Sequence, residues 1–240
     1  MTLEPSRATS TTLTAFIRGV GQQDPLAGFE QGVALYLDDV YIARPQGALL
    51  DIYDVERVEV LRGPQGTLYG RNAVGGAIKY VTRRLSEDFD ARVKASYGSY
   101  DQMDLVGTVS APLTDTFRVG GTVASLTRDG YGRNLTTGDE HYDKDLFAWR
   151  ASAEWLPSDD WLVRIAYDKL KDKTNPVAGF RPFPGAASGV PVLNDRYDTT
   201  AGASDSISTA GINGNNEIDA EGLMLSVDWN LSETTTLRSI

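Results

Sequence analysis

The stretch that decides the fold is residues 54–84, which read DVERVEVLRGPQGTLYGRNAVGGAIKYVTRR. Valine and leucine nearly alternate with charged side chains over residues 57–62, which predicts a β-strand. The run Gly63-Pro64-Gln65-Gly66 ends this strand, because glycine and proline favour turns. One helical turn is predicted at residues 67–69, and Gly75-Gly76 opens a second strand at residues 77–82.

The chain before this stretch has the same character of short apolar runs broken by glycine. It predicts a strand at residues 13–19, a hairpin at residues 33–42 with Asp38-Asp39 at or near its turn, and a short helical stretch at residues 49–55. The first part of the chain is therefore a small mixed α/β domain. Its glycines do not indicate a phosphate-binding loop, because no Gly-Lys-Ser/Thr follows and Gly75-Gly76 precedes a strand. Tight turns explain them better.

From about residue 89 the pattern changes to strict alternation of apolar and polar side chains. Such alternation puts each set of side chains on one face of a strand. Six runs show it, at residues 91–97, 103–111, 117–123, 147–155, 161–167 and 223–231, with a seventh cut off at Ile240. The second part of the chain is therefore a sheet with one apolar face.

Apart from the first connection, which is short at residues 98–101, the connections between these runs alternate in length. Short turns lie at residues 113–115, 157–160 and 232–234, whereas longer polar connections span residues 128–142 and 171–217. Short turns at one end and long loops at the other are typical of a transmembrane β-barrel, and aromatic residues at the strand ends suit its two interfaces. A soluble β-sandwich shows the same alternation and remains the alternative.

Composition excludes several classes of function. The net charge of −10, from 23 basic and 33 acidic residues, argues against binding nucleic acid. The chain has no cysteine, which excludes disulfides and thiolate metal sites. A single histidine, His141, leaves almost nothing for a histidine-based catalytic site, and its acidic surroundings indicate a solvated loop.

Three motifs together resemble the plug domain of TonB-dependent outer-membrane receptors: Ile17-Arg18-Gly19, Leu37-Asp38-Asp39-Val40 and the whole of residues 54–84. The resemblance implies a mixed α/β plug domain followed by antiparallel transmembrane β-barrel strands, part of a 22-stranded barrel. Residues 1–88 would form a partial plug domain, and residues 89–240 the first six to seven barrel strands.

The resemblance also implies a function. Such a receptor, in the outer membrane of a Gram-negative bacterium, takes up a scarce small-molecule ligand, by default a ferric siderophore. It contacts outer-membrane lipid and is a monomer when full length. The TonB–ExbB–ExbD complex supplies the energy, and the receptor catalyses no reaction and needs no cofactor. A passive or structural barrel, a receptor for a vitamin, sugar or aromatic ligand, an outer-membrane enzyme and a soluble carbohydrate-binding sandwich are the alternatives.

The resemblance assigns roles to particular residues. Arg18 and Arg62 match two arginines that lock the plug to barrel glutamates, and Glu56 and Glu59 are nearer candidate partners. Ligand-facing candidates in the plug loops are Gln22, Gln23, Tyr41, Arg44 and Gln46. Residues of the structural plug motif are Gly63, Pro64, Gly66, Tyr69, Gly70, Gly75 and Gly76. No metal site is expected.

Two further features of the family are not found in the sequence. The segment that TonB grips is absent before Met1, and six to seven strands fall short of 22. An open arc of strands leaves two unpaired edges, which lipid does not tolerate. We therefore expect the chain to be a fragment that does not insert or transport by itself.

Overall fold

The computed structural model describes residues 1–5, 11–22, 30–44, 54–135, 138–175, 197–198 and 217–240. Some sequence predictions lie outside these ranges. They are the candidates Gln23 and Gln46, most of the helical stretch predicted at residues 49–55, and most of the loop at residues 171–217.

Two small sheets form the N-terminal part of the structure. The first is antiparallel and contains β1 (Thr2–Pro5), β2 (Leu13–Ile17) and β3 (Val20–Gly21). The second has the order β5-β4-β7-β6, from β4 (Val33–Leu37), β5 (Val40–Tyr41), β6 (Val55–Arg62) and β7 (Gly76–Thr82), with helix α1 (Gly66–Tyr69) between β6 and β7. These two sheets and α1 are called the plug below.

The predicted elements of the plug are confirmed where the structure describes them. Asp38 and Asp39 form the turn of the β4–β5 hairpin and both have positive φ, +48° and +71°. Val55 belongs to β6 and pairs with Thr82, so the prediction of a helix is wrong at this residue. The sequence did not reveal the parallel pairing of β4 with β7, because the two strands are separated by 38 residues in the chain.

A seven-stranded antiparallel sheet, called the wall, follows the plug. Each strand pairs with its neighbours along the chain, and a two-stranded ribbon of β11 (Gly132–Arg133) and β12 (Glu140–His141) lies in the connection between β10 and β13. The wall strands are β8 (Asp90–Gly98), β9 (Gln102–Thr114), β10 (Phe117–Arg128), β13 (Lys144–Trp155), β14 (Trp161–Asp172), β15 (Ile218–Ser232) and β16 (Thr235–Ser239). All six predicted strands are confirmed, and the seventh predicted run is β16.

The two faces of the wall differ as the alternation predicts. The face turned away from the plug exposes large apolar side chains such as Val93, Tyr97 and Leu223, each more than 70% accessible. The opposite face carries Arg150, Glu154 and Ala148, all of which are buried. The plug covers this inner face.

Within the described residues, no helix reaches the length and apolarity needed to cross a membrane.

The plug has its own core between its two sheets. The buried side chains of this core come from β2, β4 and β7, and they are Leu13, Ala15, Ile17, Val33, Leu35 and Ile78. A second cluster of Ala34, Tyr36, Ala73 and Ala77 lies on the other face of β4. Because β4 is covered on both faces, its burial is nearly continuous, as expected of a central strand.

Candidate functional site

The β4–β5 turn brings Asp38 against the wall. Its carboxylate accepts hydrogen bonds from the backbone N–H of Thr82 at 2.8 Å and from the Thr82 hydroxyl at 2.6 Å. It also accepts one from Nη2 of Arg150 at 2.7 Å. Aspartate suits this position because it tolerates the left-handed backbone that such a turn requires. The tight turn therefore presents a carboxylate to the wall.

Arg150 lies on β13 and faces inward. Besides Asp38, its guanidinium lies 3.3 Å from Oδ1 of Asp168, its register neighbour on β14. The Arg150 and Asp38 side chains are only 6% and 2% accessible. Two carboxylates, one from the plug and one from the wall, thus share one buried guanidinium. Removing the cation alone from such a group is costly, because the carboxylates stay buried without a counter-charge.

A second charged cluster binds the end of the plug to the wall. Glu154 of β13, 1% accessible, lies 2.7 Å from Nε of Arg84 and 3.1 Å from Nε of Arg164. Arg164 also donates to the hydroxyl of Thr82 at 3.3 Å. Arg84 lies two residues after the end of β7, so this cluster connects the plug, the segment after it and two wall strands.

The segment between β7 and β8 has further contacts with the wall. Arg118 of β10 pairs with Glu87 at 2.8 Å and donates to the carbonyl oxygen of Leu85 at 3.3 Å. The backbone N–H of Ser86 donates to Oγ of Ser110 at 2.7 Å. The segment between β7 and β8 is therefore held by contacts with β9, β10 and, through Arg84, β13.

At the other end of the wall, Asp172 links the plug to the base of the long loop. The hydroxyl of Thr11 donates to one oxygen of Asp172, and the N–H of Thr174 donates to the other at 2.9 Å. Both threonines and Asp172 are almost fully buried. The carboxylate at the end of β14 thus links Thr11, just before β2, to the base of the long loop.

The predicted lock residues lie elsewhere on the plug. Arg18 and Arg62 are both exposed, and neither makes an ion pair with another described residue. Glu56 and Glu59, the suggested nearer partners of Arg62, instead pair with Arg57 at 3.2 and 2.8 Å, so that suggestion is wrong. The lock itself stays a prediction.

The predicted ligand-facing residues are only partly brought together. The hydroxyl of Tyr41 accepts a hydrogen bond from Asn72 at 2.8 Å, and the Tyr41 ring lies 5.5 Å from that of Tyr36. Gln22 is half-buried and Arg44 is exposed. The residues of the plug motif form the β6–β7 connection, where the N–H of Gly63 donates to the carbonyl oxygen of Gly75. Their functional roles stay predictions.

Sequence reasoning missed the charged residues that join plug and wall. Arg150, Glu154 and Arg164 lie at the polar positions of alternating strands, and in a membrane barrel such positions face the lumen. That signal would have identified them as lumen residues. It could not have identified Asp38 as the partner of Arg150, because Asp38 and Arg150 are 112 positions apart in the sequence.

His141 lies on the ribbon outside the wall strands. Burial lowers its pKa from the ordinary value, against a smaller raising effect of Asp139 and Asp198. Because the folded pKa lies below the unfolded value of about 6.5, this residue's contribution to stability falls as the pH drops from about 6.5 towards the folded pKa. We expect an NMR titration of this sole imidazole to give a midpoint below that of the urea-unfolded chain. A midpoint at or above the unfolded value would contradict the burial.

The described part of the chain contains no group of histidine and acidic residues that could hold a metal ion. What the described site does is join two parts of one chain through buried charges.

Comparisons with known proteins agree with this arrangement. Residues 2–77 match the TonB-dependent Receptor Plug Domain family. The Pesticin receptor of Yersinia pestis is 34% identical over 143 residues, which are 58% of this chain and 20% of that protein. The Ferric-pyoverdine 358 receptor of Pseudomonas putida is 26% identical over 162 residues, which are 68% of this chain and 18% of that protein. The chain thus spans about a fifth of the length of these relatives.

A solved structure resembles nearly the whole chain. The ferric yersiniabactin uptake receptor from Yersinia pestis superimposes with a TM-score of 0.72 at 23% identity, covering 95% of this chain and 34% of that protein. This likeness shows that plug and wall have the fold of such a receptor. Residues 2–77 are therefore a TonB-dependent receptor plug domain, and the proteins that the chain resembles are outer-membrane receptors of Gram-negative bacteria.

Proposed function

We propose that the protein acts as a TonB-dependent receptor for the active uptake of a ferric siderophore. The observation that carries the proposal is the buried contact of Asp38 in the plug with Arg150 on the inner face of a wall whose outer face is apolar. The plug is held by ion pairs to the inner face of a wall whose outer face can contact lipid. This arrangement is compatible with an import route that opens when the plug moves. The relatives named for pesticin and ferric pyoverdine and the solved yersiniabactin receptor support this ligand class.

We also propose how the parts are divided. Residues 1–88 form plug and connection, and residues 89–240 supply wall strands of a 22-stranded barrel. Strands β8 and β16 have only one partner each among the described residues, and lipid does not tolerate such open edges. Closure into a barrel that surrounds the plug removes both edges.

The energy for plug movement would come from TonB–ExbB–ExbD, because the outer membrane has no ATP of its own. Arg18 and Arg62 would lock the plug to glutamates of the barrel, and their exposure leaves both guanidiniums able to do so. Tyr41, Arg44 and Gln22, with Gln23 and Gln46, would face the ligand. In this proposal the receptor is a monomer in contact with outer-membrane lipid, and it catalyses no reaction and needs no cofactor.

An uptake experiment tests the proposal. Iron-starved cells that produce the full-length receptor containing this chain are offered ⁵⁵Fe-loaded pyoverdine and ⁵⁵Fe-loaded yersiniabactin, with cells lacking its gene as the control. We expect gene-dependent accumulation of at least one chelate, and we expect that deletion of tonB abolishes it.

Other outcomes distinguish the alternatives. Accumulation that survives the loss of TonB would indicate a passive barrel. Failure of both chelates, combined with TonB-dependent uptake of a labelled vitamin, sugar or aromatic compound, would keep the energised receptor and overturn the siderophore.

A further inference from the structure

Inner-face side chains of the wall form rows that run across the strands from register neighbour to register neighbour. The row next to the long loop pairs Leu126 with Leu146, and the following row joins Ala124, Ala148 and Leu170. All five side chains are at most 5% accessible. These five side chains form an apolar cluster on the inner face, flanked in the first row by the carboxylates of Asp104 and Asp172, although the lumen of a membrane barrel is generally polar.

The plug covers these two rows with apolar side chains of its own. Leu37 and Ile42 of the β4–β5 hairpin, Val55 of β6 and Tyr80 of β7 pack against the five wall residues. We call the nine side chains the apolar layer. Replacing these contacts by contacts with water is unfavourable, because exposing apolar surface costs about 25 cal/mol of free energy per Å².

Nearer to the short turns the interface changes character. One row contains Arg150 and Asp168, and another contains Glu154 and Arg164. In the row between them, Gly120, Ser152 and Ala166 are small, and Met224 follows on β15. The small side chains leave room between the two charged rows, part of which Leu85 fills over Gly120.

We call the two charged rows and the row between them the polar zone. Two cavities lie in it. One, of about 40 Å³, has Arg150, Ser152 and Glu154 in its lining, and that volume is enough for at least one water molecule. Oε2 of Glu154 is buried and has no hydrogen-bond partner among the described residues, so it requires a donor such as water. The other cavity, of about 290 Å³, shares Arg84 and Arg164 with the first. The polar zone therefore has room and unmet demand for water, whereas none of the nine side chains of the apolar layer has a buried polar atom without a hydrogen-bond partner.

We propose that the apolar layer is the permeability seal between plug and wall. It stops water and small solutes from passing along this interface, whereas the polar zone is open to the solvent at the short-turn end. The inference rests on the proposed function only in taking the short-turn end as the periplasmic side. At the short-turn end, water can replace the polar contacts when they separate. We therefore expect plug and wall to part first in the polar zone, on the periplasmic side of the apolar layer.

Cysteine accessibility tests this, because the chain has no cysteine of its own. Ala148→Cys and Ala124→Cys place a thiol in the apolar layer, and Ser152→Cys places one in the polar zone. The full-length receptor containing this chain, folded and embedded in the membrane, is treated with a small anionic methanethiosulfonate, without ligand or TonB, and labelling is followed by mass spectrometry. We expect both cysteines of the apolar layer to react about 100-fold more slowly than the one in the polar zone.

A second substitution opens the seal deliberately. Leu37→Ser removes a plug side chain from the layer and should accelerate labelling of the Ala148→Cys variant by at least about tenfold. Leu105→Ser, on the exposed outer face of the wall, is the matched control and should leave that rate unchanged.

Two results would overturn the proposal. They are labelling of Ser152→Cys at the same rate as the two cysteines of the apolar layer, and no acceleration of labelling by Leu37→Ser. Because labelling requires no transport, these results are independent of the uptake experiment. Loss of ⁵⁵Fe uptake alone would leave the seal standing.

Discussion

Replacement of Arg150 by methionine is expected to lower the free energy of unfolding by about 3–5 kcal/mol. The guanidinium is the shared counter-charge of Asp38 at 2.7 Å and Asp168 at 3.3 Å. Methionine fills a similar volume but leaves both carboxylates buried without a cation. Urea unfolding of the detergent-solubilised full-length receptor containing this chain, followed by tryptophan fluorescence, measures the change.

Neutralising the carboxylates should recover most of this loss. In the triple variant Arg150→Met, Asp38→Asn, Asp168→Asn no buried charge is left unpaired. Asparagine also tolerates the positive φ of residue 38 and can still accept the hydrogen bond from the N–H of Thr82. Arg57→Met is the matched control, because its ion pairs with Glu56 and Glu59 are exposed, and it should produce no measurable change. If Arg150→Met is as harmless as Arg57→Met, the buried network does not hold the plug to the wall.

The second large effect is expected from Gly76→Ala, at the start of β7. Gly76 has a φ of +152°, and an added Cβ would lie 2.2 Å from the carbonyl oxygen of Leu61 and 2.8 Å from Cδ1 of Ile17. The first neighbour is backbone, so no change of rotamer relieves the overlap. Backbone strain and overpacking together should cost about 3–5 kcal/mol. The same urea unfolding experiment measures the loss.

Gly66→Ala is the control for this substitution. Gly66 belongs to the same glycine-rich motif, but a Cβ there would meet no atom within 4 Å. It begins helix α1, and alanine is the better helix former by about 1 kcal/mol. We expect stability to be unchanged or slightly increased. Equal destabilisation by both substitutions would mean that the motif is sensitive to any side chain and that the close approach to Leu61 is not the reason.

Local pattern was sufficient for the elements themselves. Alternation in residues 147–155 and 161–167 predicted β13 and β14, because one face of each strand is exposed and apolar while the other carries charge. Asp38-Asp39 predicted a hairpin turn because aspartate is tolerated at positive φ. In these cases the residues that determine the strand or the turn lie within it or within a few positions of it.

The residues of the candidate site were less accessible to sequence reasoning. Leu126 and Leu146 are apolar side chains at inward positions, and each is next to an outward apolar or small residue. Alternation therefore fades at the place where the plug packs against the wall. The interrupted alternation is visible in the sequence, but it does not indicate which residues pack against Leu126 and Leu146. Similarly, Glu59 was a reasonable partner for Arg62 by proximity, yet the alternating strand places it beside Arg57.

By itself the sequence determined the strands, the turns, the apolar outer face and the resemblance to a plug, because all of these follow from periodicity and from contiguous motifs. Only the tertiary structure decided that Asp38 meets Arg150, that Glu154 meets Arg84 and that an apolar layer lies beside charged rows. The physical reason is that ion pairing and apolar burial depend on distance in space. The chain brings residues 38 and 150 together only when the plug lies against the inner face of the wall.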